Sequence, residues 1–252
     1  MKIRFNLKFI IFFKIILFFQ KKYQKIFNSI YKQKLNSIIL HLIKKGILIN
    51  NVYDIGAYKG EWTKMMCKTS LKKSNFFLFE ANSENEAFLK DTKYKYFINI
   101  LSDKNKKVSF YSKSHTGDSY YIEKTNFYEK ETKPKILDAT TLNNLQKEHG
   151  IPLPEFIKID TQGSEIDILK GGNEILNNCK IILLECPIIS YNEGAPSLDE
   201  YIKYLNKIDF LPLDITEVHH LDKVLVQIDI IFLKKDIFYK IYEGKKILNI
   251  FN

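Results

Sequence analysis

The sequence predicts a doubly wound α/β domain whose mostly parallel sheet is closed by an antiparallel hairpin. From residue 47 onward, short apolar runs alternate with amphipathic stretches, the pattern of successive βαβ units. The first apolar run ends in Asp54 and passes through Gly56 and Gly60 straight into a helix, as a ligand-binding strand–turn–helix does. The last two apolar runs, 211–216 and 224–234, are separated by only a short turn. A parallel crossover needs a dozen or more residues, so these two strands pair antiparallel. The 252 residues suffice for one such domain with a short extension, here a basic, apolar helical extension over 1–46 and a domain over 47–252.

The extension holds nearly all of the charge imbalance. The chain carries a net charge of +10, yet residues 1–50 contain eleven Lys and Arg and no acid, so the remainder has 28 basic against 29 acidic groups. A body that binds nucleic acid needs its own basic stripe to neutralise phosphates, and this one has none on average. Residues 5–19, FNLKFIIFFKIILFF, are strongly apolar but interrupted by Lys8 and Lys14, and Lys21, Lys22 and Lys25 follow directly. A spanning helix wants about 20 predominantly apolar residues. Residues 1–25 therefore fit better as an interfacial helix whose lysine stems reach toward anionic headgroups. Packing on the domain, or on a second copy of the chain as a homodimer, is the competing reading. A second helix is expected over 28–46, with Ile30, Leu35, Ile38, Ile39, Leu42 and Ile43 at helical spacing and Gly46 as its stop.

Within the domain, strands are expected at 51–55, 76–80, 96–101, 107–111, 155–160, 180–186, 211–216 and 224–234. Helices are expected at 61–70, 83–91, 140–149, 164–177, 197–208 and 237–249. Pro152 and Pro154 end the helix before the strand at 155. Cys67, Cys179 and Cys186 show no CxxC spacing, which fits reduced thiols in a cytoplasmic protein and argues against zinc. If the extension binds lipid, the protein sits at the inner face of the membrane.

The cofactor motif is V-Y-D-I-G-A-Y-K-G, residues 52–60. Gly56 lets the backbone turn sharply and approach a ligand, and Gly60 opens the helix start. The spacing is G-x-x-x-G and not the G-x-G-x-x-G of nicotinamide sites. Ala57 lies inside the motif, and Thr63 offers a hydroxyl to a methionyl carboxylate. The next strand, Phe76-Phe77-Leu78-Phe79-Glu80, ends in an acid placed to accept both hydroxyls of an adenosine ribose, with Ala81 next to it. Ser102 and Asp103, after the third strand, are expected at the adenine.

With these residues in place the chain resembles the FkbM family of methyltransferases. The similar segments are VYDIGAYKGEWT (52–63), FLFEAN (77–82), ILSDKNKKVSFY (100–111), TGDS (116–119), TTLNNL (140–145), FIKIDTQGSEIDILKGG (156–172), LLECP (183–187), YNEGAPS (191–197) and QIDIIF (227–232). The resemblance implies a class I, Rossmann-like methyltransferase fold with a seven-stranded sheet, S-adenosylmethionine as donor, and a hydroxyl of a sugar or other natural product as acceptor. Tyr58, Ala81 and Asp118 depart from the family's common residues, and Tyr58 and Asp118 bear on what the acceptor site admits.

Methyl transfer to a hydroxyl asks for positioning and for a base within reach of the oxygen. Asp160 is the first candidate, ending the strand Phe156-Ile157-Lys158-Ile159-Asp160 and leading into the Gln162-Gly163 turn. Glu165 opens the following helix and Glu185 ends the next apolar strand. Three carboxylates at neighbouring element ends make a base or orienting site, or alternatively a divalent-metal site of oxygen ligands; the former is preferred and no metal ligand is assigned. A second reading of Glu165 is a helix N-terminal stabiliser. His115 is an alternative base, while His219 and His220 are expected in a surface hairpin turn. Tyr191, Asn192, Asp118 and Ser119 are expected on the acceptor side.

Overall fold

The computed structural model describes residues 34–112, 117–124 and 133–242. Helix α1 covers 34–44. The rest of the expected extension, the predicted interfacial segment included, lies outside the described residues. Leu35, Ile39 and Leu42 of α1 are buried in the same core as the sheet, and the helix ends at Gly46 with φ of +90°. Residues 34–46 thus belong to the packed domain.

A seven-stranded sheet is built from β1 (Asn51–Ile55), β2 (Asn75–Glu80), β3 (Lys95–Ile98), β7 (Phe156–Ile159), β8 (Ile181–Pro187), β9 (Phe210–Leu221) and β10 (Val224–Lys234). Its strand order is β3-β2-β1-β7-β8-β10-β9. The first five are parallel, and β10 runs antiparallel to both β8 and β9. Leu221 pairs with Val224 across Asp222 and Lys223, both at positive φ, the geometry of a type I′ turn. The central strands read as near-continuous apolar runs because both faces are covered. Val52, Phe76, Leu78, Phe156 and Ile231 face α1, α2 (Glu61–Met66) and α3 (Glu86–Lys90). Tyr53, Ile55, Phe79, Ile157 and Ile159 face α4 (Leu142–His149), α5 (Glu165–Gly171) and α6 (Leu198–Lys207). A last helix, α7 (Lys235–Tyr242), returns to the α1 side through Ile237 and Phe238. These two-sided cores give the doubly wound architecture the sequence predicts.

One expected strand divides. The run 96–101 becomes β3 and a two-residue β4 (Ile100–Leu101), and β4 leaves the main sheet to pair with β6 (Lys135–Thr140). With β5 (Lys106–Phe110), these form a second, three-stranded sheet of order β4-β6-β5. Strand β6 went unpredicted: four of its six residues are exposed, so no buried alternation marks it.

Candidate active site

The carboxyl ends of β1, β2, β7 and β8, with the adjoining part of the β9–β10 hairpin, open onto one cavity of about 370 Å³. Glu80, Gly56, Asp160, Glu185, Gln227 and His219 all line it, and they follow one another in that order along the sheet from β2 to β9.

The β1–α2 turn forms the inner wall. Gly56 has φ of +71°, and a Cβ there would lie 1.8 Å from the Asp160 carbonyl oxygen, so only glycine lets the turn pass against β7. The N–H groups of Gly56 and Ala57 both donate to the Phe79 carbonyl, at 2.9 and 3.1 Å. Tyr58, itself left-handed at φ of +49°, donates its N–H to Glu80 Oε2 at 2.7 Å, and the Asn82 N–H donates to Oε1 at 2.8 Å. The Glu80 carboxylate is thereby fixed from two main-chain donors while lining the cavity. Burial pushes its pKa up, opposed by those same N–H groups.

Beneath the turn, Asp54 and Thr63 are fully buried, and the Thr63 hydroxyl donates to Asp54 Oδ2 at 2.6 Å. That hydroxyl therefore serves the acid at the end of β1, and neither residue is part of the cavity wall. Gly60 also stays below the surface, packed against Thr92 and Leu78. On the β3–β4 side the wall is Asn99, Ile100 and Leu101, with Ala81 next to them. The expected adenine contacts fall just past it: Ser102 is buried, and Asp103 pairs with Lys106 at 2.7 Å.

At the centre, Asp160 follows β7 and its side chain is about 40% exposed, toward the cavity it lines. Burial acts to raise its pKa, but Lys158 at 3.4 Å, with hydrogen bonds from Glu185 and Gln162, holds it below the usual carboxylate range. Glu185 goes the other way: burial, then the charges of Asp160 and Asp229, push it well above its ordinary value. Their surroundings thus drive the two carboxyls in opposite directions. The side-chain amides of Gln162 and Gln227 donate to the two oxygens of Glu185, and the Tyr191 hydroxyl reaches both glutamine carbonyls, at 3.0 and 2.9 Å. The Asn192 side-chain amide donates to the main-chain carbonyl of Gln162 at 2.8 Å. Tyr191 and Asn192 hence stand behind Gln162 as its support.

Glu165 has a different task. It is 1% exposed, and its carboxylate accepts from the N–H groups of Thr161 at 2.8 Å and Gly163 at 3.0 Å and from the Tyr201 hydroxyl. It ties the 160–164 turn to α6 and does not line the cavity. Glu185, His219 and Asp229 bring carboxylate and imidazole atoms within 4.8 Å of one another, but both Glu185 oxygens already receive amide protons. His219 lies on β9 before the turn, not within it; it lines the cavity and its Nε2 is 3.6 Å from Asp229 Oδ1. Burial acts to lower its pKa and Asp229 more than offsets that. His115 lies outside the described residues.

Segment 117–124 crosses the cavity mouth. Asp118 accepts from the Asn82 side-chain amide at 2.8 Å, and the Ser119 hydroxyl donates to the Gln162 carbonyl at 2.9 Å. Tyr120 and Tyr121 both donate to Asp167 on α5, at 3.0 and 3.2 Å. Gly117, Asp118, Ser119 and Tyr120 therefore roof the cavity from the strand side.

Residues 54–212 match the family model described as Methyltransferase FkbM domain. The chain belongs to the FkbM methyltransferase family. It carries a methyltransferase domain of that family, and its seven-stranded sheet closed by an antiparallel hairpin is the arrangement the sequence predicts. Among solved structures it is similar to methyltransferase FkbM from Methylobacillus flagellatus, at 16% identity and a TM-score of 0.46, over 73% of this chain and 45% of that one. It is also similar to precorrin-6y C5,15-methyltransferase from Geobacter metallireducens, at 11% identity and 0.45, over 81% and 88%. A third is magnesium protoporphyrin IX methyltransferase from Synechocystis with bound S-adenosylmethionine, at 7% and 0.47, over 81% and 79%. The chain thus spans less than half of the Methylobacillus protein. A search of curated proteins found no match.

In this FkbM-family chain, four site residues escaped the sequence reading. Gln162 and Gln227 looked like turn and strand residues, and only their convergence on Glu185 gives them a role. His219 was placed in a turn because the length of β9 was underestimated by five residues at its carboxyl end. Lys158 had a visible signal: a lysine in the middle of an apolar strand expected to be covered on both faces.

Proposed function

We propose that this FkbM-family enzyme methylates a hydroxyl group of a sugar in a glycan or glycolipid. The observation that carries the reading is the composition of the cavity wall beyond Gly56 and Glu80. Asp160, Gln162, Glu185, His219 and Gln227 supply carboxyl, amide and imidazole groups side by side, a hydrogen-bonding surface matched to a polyol and poorly matched to an apolar acceptor.

The donor would lie along Gly56, Glu80 and Ala81, with Glu80 accepting from ribose hydroxyls; when bound it supplies a methyl group activated by sulfonium charge. Asp160, beside the Gly56 turn, orients the acceptor hydroxyl and takes its proton. A carboxylate held below the ordinary range is a weak base, but the hydroxyl proton becomes acidic as the new C–O bond forms, so late acceptance is enough. The basic apolar residues 1–25 support work at an anionic membrane surface, where a glycolipid acceptor would be found. A soluble natural product as acceptor is the second reading, favoured if those residues bind protein instead of lipid.

Calorimetry with S-adenosylmethionine tests the foundation. Wild-type protein should bind, and Glu80→Ala should bind about tenfold to a hundredfold more weakly, the worth of hydrogen bonds to a charged group. No heat with wild type, or an unchanged affinity in the variant, overturns the donor assignment. Mass spectrometry of surface glycans from cells with and without the active protein then reads the acceptor, as a mass difference of one methylene per added methyl.

A further inference from the structure

Lys158 is the one residue of β7 that brings a charge into the sheet. It is 7% exposed and stands between Asp54 and Asp160, with its ammonium 3.3 Å from Asp54 Oδ1 and 3.4 Å from Asp160 Oδ2. The same nitrogen donates to the Gly56 carbonyl at 2.9 Å. One ammonium therefore touches the acid at the end of β1, the main chain of the donor turn and the carboxylate that faces the acceptor. A buried charge without partners is costly, and this one has a hydrogen bond to main chain and two carboxylates at ion-pair distance.

We propose that Lys158 is a positioning residue that locks the donor turn to the acceptor carboxylate and keeps Asp160 charged. This rests on the reading of Asp160 as the acceptor carboxylate. The surroundings make the lysine decisive. Asp160 is faced by Asp54 from β1, Asp229 from β10 and His219 from β9, while Glu185 from β8 hydrogen-bonds to it and lowers its pKa. Among the described groups, Lys158 is the cation in direct contact with it. Without that contact, burial and the neighbouring acids would drive Asp160 toward its neutral form, which cannot accept a proton. The Gly56 contact adds a second effect: the carbonyl is anchored from below, so the turn is set before a donor arrives.

The full chain labelled with ¹³C at aspartate carboxyls reads both parts. The Asp160 resonance, identified by its loss in Asp160→Asn, should titrate in wild type below the ordinary value of about 3.9. In Lys158→Gln it should rise by about one pH unit or more. Calorimetry should show S-adenosylmethionine binding Lys158→Gln about tenfold more weakly, through the loosened turn. A wild-type midpoint at or above the ordinary value overturns the proposal, as does an unchanged midpoint in the variant. If Lys158→Gln does not fold, the wild-type titration decides alone. Neither readout needs an acceptor, so their failure removes the role of Lys158 and leaves hydroxyl methylation standing; near-normal turnover in Asp160→Asn instead removes the Asp160 reading on which the proposal rests.

Discussion

The three carboxylates that close the cavity wall or its base separate by environment, not by residue type. Asp160 has a lysine at 3.4 Å that lowers its pKa; Glu185 is buried with two acids near it, which raise its pKa; Glu165 is saturated by main-chain N–H groups and Tyr201. All three end or begin elements at the sheet's carboxyl edge, so sequence position could name them as a group but could not divide the work among them. The division depends on Lys158 and Gln162, two residues to either side of Asp160, and on Gln227 from β10. Asp160→Asn keeps the shape and removes the charge. Turnover should fall roughly a hundredfold or more while donor affinity stays near wild type, the pattern of a lost proton acceptor. Assays of methyl transfer beside calorimetry check this, and near-normal turnover would remove Asp160 from that role.

At the scale of elements, the β1–α2 turn is the part most completely readable in advance. Its glycines have a backbone reason that survives any change of partner, because positive φ is a local property. What the turn packs against is not local. Gly56 presses on the Asp160 carbonyl from β7, about a hundred residues away, and Asp160 N–H donates to the Ile55 carbonyl at 3.1 Å. Gly56→Ala should therefore damage both strands' ends at once. The variant should give no measurable heat with S-adenosylmethionine and should melt several degrees lower, as expected for a positive-φ clash with main chain. Wild-type binding in that variant would show that the turn has room the geometry denies it. The missed β6 illustrates the opposite limit: a strand that is mostly exposed and pairs only with two short partners leaves no periodic trace.

For the whole molecule, charge and fold divide the chain differently. The +10 charge belongs to the first fifty residues, whereas the packed domain already includes α1 from residue 34. Lys34 pairs with Asp214 on β9 at 2.7 Å, so even part of the basic segment is used inside the fold. Among the described residues no helix is long and apolar enough to cross a membrane. Removal of residues 1–25 should abolish co-sedimentation with anionic liposomes, leave neutral liposomes unbound as before, and preserve donor binding. Unchanged sedimentation with anionic vesicles would favour the soluble acceptor.

The sequence alone determined the fold class, the donor motif around Gly56 and Glu80, and the edge of the sheet on which chemistry occurs. Those features follow from local backbone demands and from apolar periodicity, and both are written in consecutive residues. Only the tertiary structure decided in which direction each carboxyl is pushed, which histidine faces the cavity and which residues merely brace it. Exposure and electrostatic surroundings depend on groups distant in the chain and close in space: Asp54, Glu185 and Asp229 meet the Lys158–Asp160 pair only in the folded sheet.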